Sequence, residues 1–124
     1  LSYQHDATLL PNGHVLVFDN RPNEERSRVV EIDPVTNEIT WSYGPEGFFS
    51  RTMAGAQRLP NDDVLITDAD SGRCLEVTRA GEIVWEFLND EVDVAAAKRA
   101  AIYRMRRLPL DYFGDLVPED RRSR

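Results

Sequence analysis

Leu10-Pro11-Asn12-Gly13-His14-Val15-Leu16-Val17-Phe18-Asp19 is the stretch on which the fold turns. Taken alone it reads as a strand end, a turn and a second strand: Pro11 presets φ, Asn12 and Gly13 accept turn conformations, and Val15 to Phe18 are apolar and partly β-branched. The stretch recurs as Leu59-Pro60-Asn61-Asp62-Asp63-Val64-Leu65-Ile66-Thr67-Asp68, a shift of 49 from Pro11 to Pro60. Its surroundings recur too. Arg28-Val29-Val30-Glu31-Ile32 is echoed by Arg73-Cys74-Leu75-Glu76-Val77, and Glu38-Ile39-Thr40-Trp41-Ser42-Tyr43 by Glu82-Ile83-Val84-Trp85-Glu86-Phe87. From Trp41 to Trp85 the shift is 44, because the first unit carries a longer loop at 21–27.

Each unit therefore reads as four short strands, at 5–10, 15–19, 28–33 and 38–43 in the first and at 54–59, 64–68, 73–78 and 82–87 in the second. Four strands on a period of roughly 45 residues is the spacing of a β-propeller blade. The expected architecture is all-β: a propeller fragment of two four-stranded blades, about 1–47 and 48–88, from a propeller of roughly six. A propeller needs about four to eight blades. The remaining blades are expected from a missing part of the chain or from a partner chain. Trp41 and Trp85 are read as packing between neighbouring blades, where a large flat ring fills the wedge.

Beyond Phe87 the pattern changes. Asp90, Glu91 and Asp93 precede Lys98, Arg99, Arg104, Arg106 and Arg107, a charge order that complements a helix dipole. Val94, Ala97, Ala101, Ile102, Met105 and Leu108 recur at helical spacing, and Pro109 can end the element. The expectation for 89–124 is a C-terminal α-helix followed by an irregular segment anchored by Tyr112, Phe113 and Leu116, and a polar tail. The basic run is read as the helix's solvated face.

Composition narrows the function classes. A formal charge of −7 over 124 residues, with no basic face in the β units, excludes a nucleic-acid site. Cys74 is the single cysteine, so neither an internal disulfide nor a cysteine-based metal site can form. No metal or cofactor is expected. The chain has no apolar run long enough to span a bilayer. It starts at Leu1, as a processed product or a piece of a longer polypeptide does, which is compatible with a leader or anchor upstream.

Aligning the two units separates scaffold from chemistry. The Leu-Pro-Asn turn, Asp19 and Asp68, Glu31 and Glu76, and the two tryptophans recur. His5-Asp6 faces Ala54-Gly55, and Asn20 faces Ala69. The first strand of a blade lines the central channel, so His5-Asp6 is expected there, where imidazole suits acid/base work and a nearby carboxylate can orient it. His14 follows a turn glycine and is read as solvent-exposed.

Gln4-His5-Asp6-Ala7, Leu10-Pro11-Asn12-Gly13, Phe18-Asp19-Asn20, Ser27-Arg28-Val29-Val30-Glu31 and Trp41-Ser42-Tyr43-Gly44, in this order and spacing, resemble the C-terminal blades of the bacterial-type arylsulfotransferase family. The likeness runs to about Phe87. It implies a six-bladed propeller that moves sulfate from a phenolic sulfate ester to a phenol by way of a sulfated histidine, without a nucleotide donor, in an extracytoplasmic or periplasmic location. His5 matches the family's Gln-His motif and is implied as the catalytic, channel-lining histidine that binds or protonates the bridging oxygen. Asp6, Asn20, Arg21 and Arg28 are the substrate-binding candidates; an arginine past Phe-Asp-Asn holds the sulfate in the family, and Arg26 is a further candidate. A guanidinium suits paired sulfate oxygens. One departure stands out: the family's sulfate-accepting histidine is expected after the aromatic-Ser pair, and Phe49-Ser50-Arg51-Thr52-Met53-Ala54-Gly55 contains none. The alternative is a non-catalytic propeller that binds a ligand or protein through its funnel. A quinone-dependent dehydrogenase propeller is disfavoured, since those sites lean on a cysteine pair and a calcium cluster.

Overall fold

Residues 1–114 are described by a computed structural model. Eight strands are joined by short turns and by two longer loops at 20–27 and 44–54: β1 (Gln4–Leu9), β2 (Val15–Asp19), β3 (Arg28–Asp33), β4 (Glu38–Tyr43), β5 (Gly55–Arg58), β6 (Val64–Asp68), β7 (Arg73–Val77) and β8 (Ile83–Leu88). They form two antiparallel four-stranded sheets in the orders β1-β2-β3-β4 and β5-β6-β7-β8. The repeat read from the sequence is thus two copies of one meander. The registers agree as well: Asp19 faces Arg28 as Asp68 faces Arg73, and Glu31 faces Trp41 as Glu76 faces Trp85.

Period-2 alternation explains how the sheets meet. Leu16 and Phe18 of β2 and Val64 and Ile66 of β6 join one buried cluster with Val29, Leu75 and Val77, sealed by Tyr43 and Phe48. The Phe18 and Phe48 rings lie 5.6 Å apart and those of Tyr43 and Phe48 5.7 Å, tilted and edge-on contacts that aromatic quadrupoles favour.

A polar clasp joins the same two sheets. Glu31 on β3 is buried and accepts from Arg58 of β5, from Arg79 beyond β7 at 2.6 Å, and from Asn12 at 3.2 Å. His14 Nδ1 also lies 2.8 Å from it. His14 is therefore tied into the clasp, contrary to the solvent exposure expected from its turn. The Arg58 and Arg79 guanidiniums lie 5.4 and 5.3 Å from the Trp41 ring, whose Nε1 donates to the Arg79 carbonyl at 2.9 Å. Both cations lie within cation–π range of the ring. Trp41 does bridge the two units.

The expected C-terminal helix is not formed. Residues 89–100 instead make a small hairpin of β9 (Val92–Asp93) and β10 (Lys98–Arg99), and 101–109 run without helix or strand assignment. Ala97 has φ 51°, outside the right-handed helix region. The remaining backbone is committed to tertiary partners. Met105 N–H donates to Thr67 Oγ1 at 2.9 Å, Ile102 N–H to the Ala69 carbonyl at 3.1 Å and Arg107 N–H to Gln57 Oε1 at 2.8 Å, whose amide returns a bond to the Arg107 carbonyl at 3.0 Å. Modest helix propensity loses to these contacts. Tyr112 and Phe113 are exposed and touch each other edge-on. Leu116 and the polar tail lie outside the described residues.

Burial pushes the Glu31 carboxyl up, but bonds from Arg79, His14 and Asn12 and the Arg58 charge outweigh it and bring it from 4.5 down to about 2. Such a depressed carboxylate contributes stability above its unfolded value, lost as pH falls towards the folded one. Urea denaturation of Glu31→Gln at pH 7 should show a loss of roughly 3 kcal/mol, about what a shift of that size is worth. The gap from the parent should close between pH 4.5 and about 2. Asp68 is the opposite case. Its Oδ1 is buried with no protein hydrogen-bond partner among the described residues, and burial raises its carboxyl above 3.8. Its register partner Arg73 is engaged by Glu86. Asp68→Asn should hold or raise stability at pH 7, an advantage absent below pH 3.8, whereas Asp19→Asn should lower it.

Candidate functional site

The site grows from the entry to β1. Asn20, fully buried just past β2, donates its amide nitrogen to the carbonyls of Ser50 at 2.8 Å and Met53 at 3.0 Å. Those two bonds orient the amide, so Oδ1 is the atom turned towards His5 Nδ1, 2.7 Å away. The Tyr3 carbonyl lies 3.3 Å from the same nitrogen. Both neighbours are acceptors. Nδ1 therefore carries the hydrogen, and Nε2 is left to exchange a proton. The imidazole is exposed while its anchor is buried, an arrangement that holds a ring still yet leaves it reachable.

The second unit lacks both partners of this pair. Ala54 stands where His5 does and Ala69 where Asn20 does. Asp6 has a matching vacancy: its Oδ2 accepts from Ala56 N–H at 3.2 Å, and a Cβ on Gly55 would collide with that carboxylate. Gly55 is needed for that close approach. A register shift between His5 and Thr8, with Asp6 at φ 56°, breaks the β1 ladder here. Tyr3, Arg21, Met53 and Ala54 also have positive φ, from 47° to 86°. Unfavourable backbone concentrates around this residue set, each case costing on the order of 1 kcal/mol or more.

The other candidates fall in different places. Arg28 Nε donates to Asp19 Oδ2 at 2.9 Å, and Asp19 Oδ1 accepts from Ser2 N–H at 2.6 Å; this buried carboxylate ties the N-terminal segment to β3. Arg21 pairs with Glu24 within its own loop, and Arg26 is exposed. His5, Asp6 and Asn20 are thus neighbours through the 50–56 segment, while Arg21 and Arg28 are committed elsewhere. Among the described residues no three His, Cys, Asp or Glu side chains are grouped to hold a metal ion.

Two arginines reach this site unforeseen. Arg106 donates to Asp6 Oδ1 at 2.6 Å, and an Arg104 nitrogen lies 3.4 Å from the same oxygen. They lie two apart in a segment without helix or strand, and both reach one carboxylate oxygen. The signal that would have found them is in the sequence. Arg107-Leu108-Pro109 repeats Arg58-Leu59-Pro60 at the same shift of 49 that relates Pro60 to Pro11. The structure makes the echo physical: Arg107 pairs with Glu76 and stands 5.4 Å from the Trp85 ring, as Arg58 does with Glu31 and Trp41. Leu10-Pro11, Leu59-Pro60 and Leu108-Pro109 together line one open cavity of about 770 Å³. On the β1 side that cavity is lined from Thr8 to Pro11, and Arg106 also lines it.

Fold and site define an all-β repeat protein with a histidine presented from the first strand of one unit and replaced in the next. The arylsulfotransferase (ASST) family model matches residues 1–90, and the chain belongs to that family. No curated protein gives a significant match. Among solved structures the chain is similar to a protein of unknown function from Bacteroides caccae, with 16% identity and a TM-score of 0.52 over 68% of this chain and 31% of that one. The chain thus spans about a third of that protein's length, and the likeness is one of fold.

The tautomer assignment is open to direct measurement. Nitrogen-detected NMR of the ring-labelled protein should show the neutral His5 imidazole as the Nδ1–H form. Asn20→Ala should shift it towards the tautomer mixture of free histidine, and an unchanged spectrum would show that Asn20 does not set it.

Proposed function

We propose that the two sheets are adjacent blades of a propeller of about six, and that this propeller transfers sulfate from a phenolic sulfate ester to a phenol with His5 in its channel. Family membership supports the chemistry. The observation that carries it to a residue is the His5–Asn20 pair, present in the unit that has the Gln-His motif and replaced by two alanines in the other. The blade reading draws on the unit boundary. Trp41 is in contact with the second unit and Tyr43 is buried, whereas their counterparts Trp85 and Phe87, stacked on each other, are 37% and 41% exposed with Arg107 over Trp85. A face more covered in one copy than in the next fits a further unit supplied by the rest of the polypeptide or by a partner chain.

In this mechanism Asn20 holds Nδ1–H and Nε2 does the proton work. As the sulfur–oxygen bond of the donor breaks, protonated Nε2 gives its proton to the departing phenolate oxygen. The sulfuryl group passes to an accepting histidine contributed from outside Phe49–Gly55. In the second half, neutral Nε2 takes the proton of the acceptor phenol as its oxygen attacks sulfur. Asp6, Arg21 and Arg28 are the accompanying substrate-binding candidates, and Asn20 acts through His5. A second reading, a binding module without turnover, is favoured by the missing histidine at 49–55.

Full-length protein should release 4-nitrophenol from its sulfate ester when a phenol acceptor is added. Loss of a proton-transfer group typically costs about 100-fold or more, and His5→Ala should show at least that drop. Folded protein that binds the ester yet releases nothing would move the assignment to the binding module.

A further inference from the structure

We propose that residues 103–108 are the first strand of a third unit, laid down with one edge open to receive that unit's second strand from polypeptide preceding Leu1. The inference rests on the reading of the two sheets as neighbouring blades and goes beyond it by naming the edge and its occupant. The chain makes a third pass through one kind of place. At the common shift of 49, Leu10, Leu59 and Leu108 correspond, each followed by proline. Three contacts recur at the same shift or its repeat equivalent. Arg58 on Glu31 and Trp41 becomes Arg107 on Glu76 and Trp85, and the Asn20–Met53 hydrogen bond becomes one between Ala69 and Ile102.

The hydrogen bonds show which edge is open. Along a first strand, successive amides face the second strand and turn away from it in alternation. In the second unit Ala56 N–H turns away, to Asp6 Oδ2, whereas Leu59 N–H donates to the Asp63 carbonyl at 2.9 Å on the β6 side. Leu10 N–H does the same to the His14 carbonyl at 2.8 Å. In the third segment Met105 and Arg107, the counterparts of Ala56 and Arg58, donate their N–H groups to Thr67 Oγ1 and Gln57 Oε1 of the second unit. The alternate amides, those of Arg104, Arg106 and Leu108, have no hydrogen-bond partner among the described residues. They correspond to Gly55, Gln57 and Leu59, the positions whose amides face β6.

The occupant is not the next stretch of chain. Gly13 and Asp62 donate their N–H groups to the Leu10 and Leu59 carbonyls in the turns that lead into β2 and β6; after Leu108 the turn bond runs instead from Tyr112 N–H to the Pro109 carbonyl, and 110–114 form no strand. Strands two to four of the first unit span 15–43, more chain than 115–124 holds. A second copy has no second strand to give, since its β2 and β6 are each paired on both sides. A meander tethered in the same polypeptide meets the edge at high effective concentration, whereas on a separate chain it would expose an unpaired edge of its own. The segment recognised is one that reads like Val15–Asp19 and Val64–Asp68, apolar and almost wholly buried, followed by two further strands. The same meander covers Phe87, which is exposed where its counterpart Tyr43 is buried in one cluster with Val64 and Ile66.

Amide hydrogen exchange of the full-length protein, resolved to single residues by mass spectrometry, tests this. Arg104, Arg106 and Leu108 should exchange roughly 1,000-fold or more slowly than in an unstructured peptide, the factor that a native ladder supplies. Benzoylphenylalanine in place of the exposed Tyr103 should photo-cross-link to residues preceding Leu1 of the same chain. Rapid exchange at the three amides overturns the proposal, as does a cross-link to a second chain or none outside 1–124. Exchange is read on the parent protein, so that arm stands if the substituted protein does not fold. Hydroxyl-radical footprinting of Trp85 and Phe87 in the same protein separates the two readings. Reactive side chains reject the neighbouring-blade reading and this proposal with it; shielded side chains with rapid exchange at the three amides reject only this proposal.

Discussion

A single buried carboxylate, Glu31, is what the two sheets depend on for their mutual placement. Burying a charge is costly unless hydrogen bonds and opposite charges surround it, and removing one partner leaves that cost uncovered. Here the partners come from both units: Asn12 and His14 from the β1–β2 turn of its own sheet, Arg58 and Arg79 from the other. The apolar cluster between the sheets supplies most of the driving force, but it is non-directional. The clasp supplies geometry. Because Trp41 contacts the same two arginines, the interface is specified by groups that recur one unit later as Glu76, Trp85 and Arg107.

The candidate site sits where the repetition lapses. The recurring residues build a sheet that works equally well with alanine at 54 and 69 or with His5 and Asn20 in their places. What the first unit adds is a polar set whose members need one another. Asn20 needs the Ser50 and Met53 carbonyls to face the right way, His5 needs Asn20 for its tautomer, and Asp6 needs the absent side chain of Gly55. This set sits on positive-φ backbone at Asp6, Met53 and Ala54, strain that the surrounding packing and clasp must offset.

The eight strands of the two sheets were legible to within about a residue at their ends, since period-2 patterning and turn residues are local signals and their repetition made each unit a check on the other. His5, Asp6 and Asn20 were legible as exceptions to the repeat. The segment after Phe87 was misread for a physical reason. Spaced alanines and dipole-compatible charges favour a helix only weakly, and side-chain acceptors such as Thr67 Oγ1 and Gln57 Oε1, together with the Asp6 and Glu76 carboxylates, hold the chain out of a helix. His14 was misplaced similarly, because a turn residue's exposure depends on what the neighbouring strand presents, and here that is Glu31.

The amino-acid sequence by itself determined two copies of a four-stranded meander, their turns, their shared Glu and Trp positions, and the residues that break the copy. Only the tertiary structure decided which partners those residues take: Asn20 for His5, Gly55 and Ala56 for Asp6, Asp19 for Arg28, and two arginines a hundred positions away for the carboxylate beside the candidate histidine. Strand formation is governed by neighbours a few positions apart, which a sequence displays. Charge pairing is governed by distance in space, which it does not.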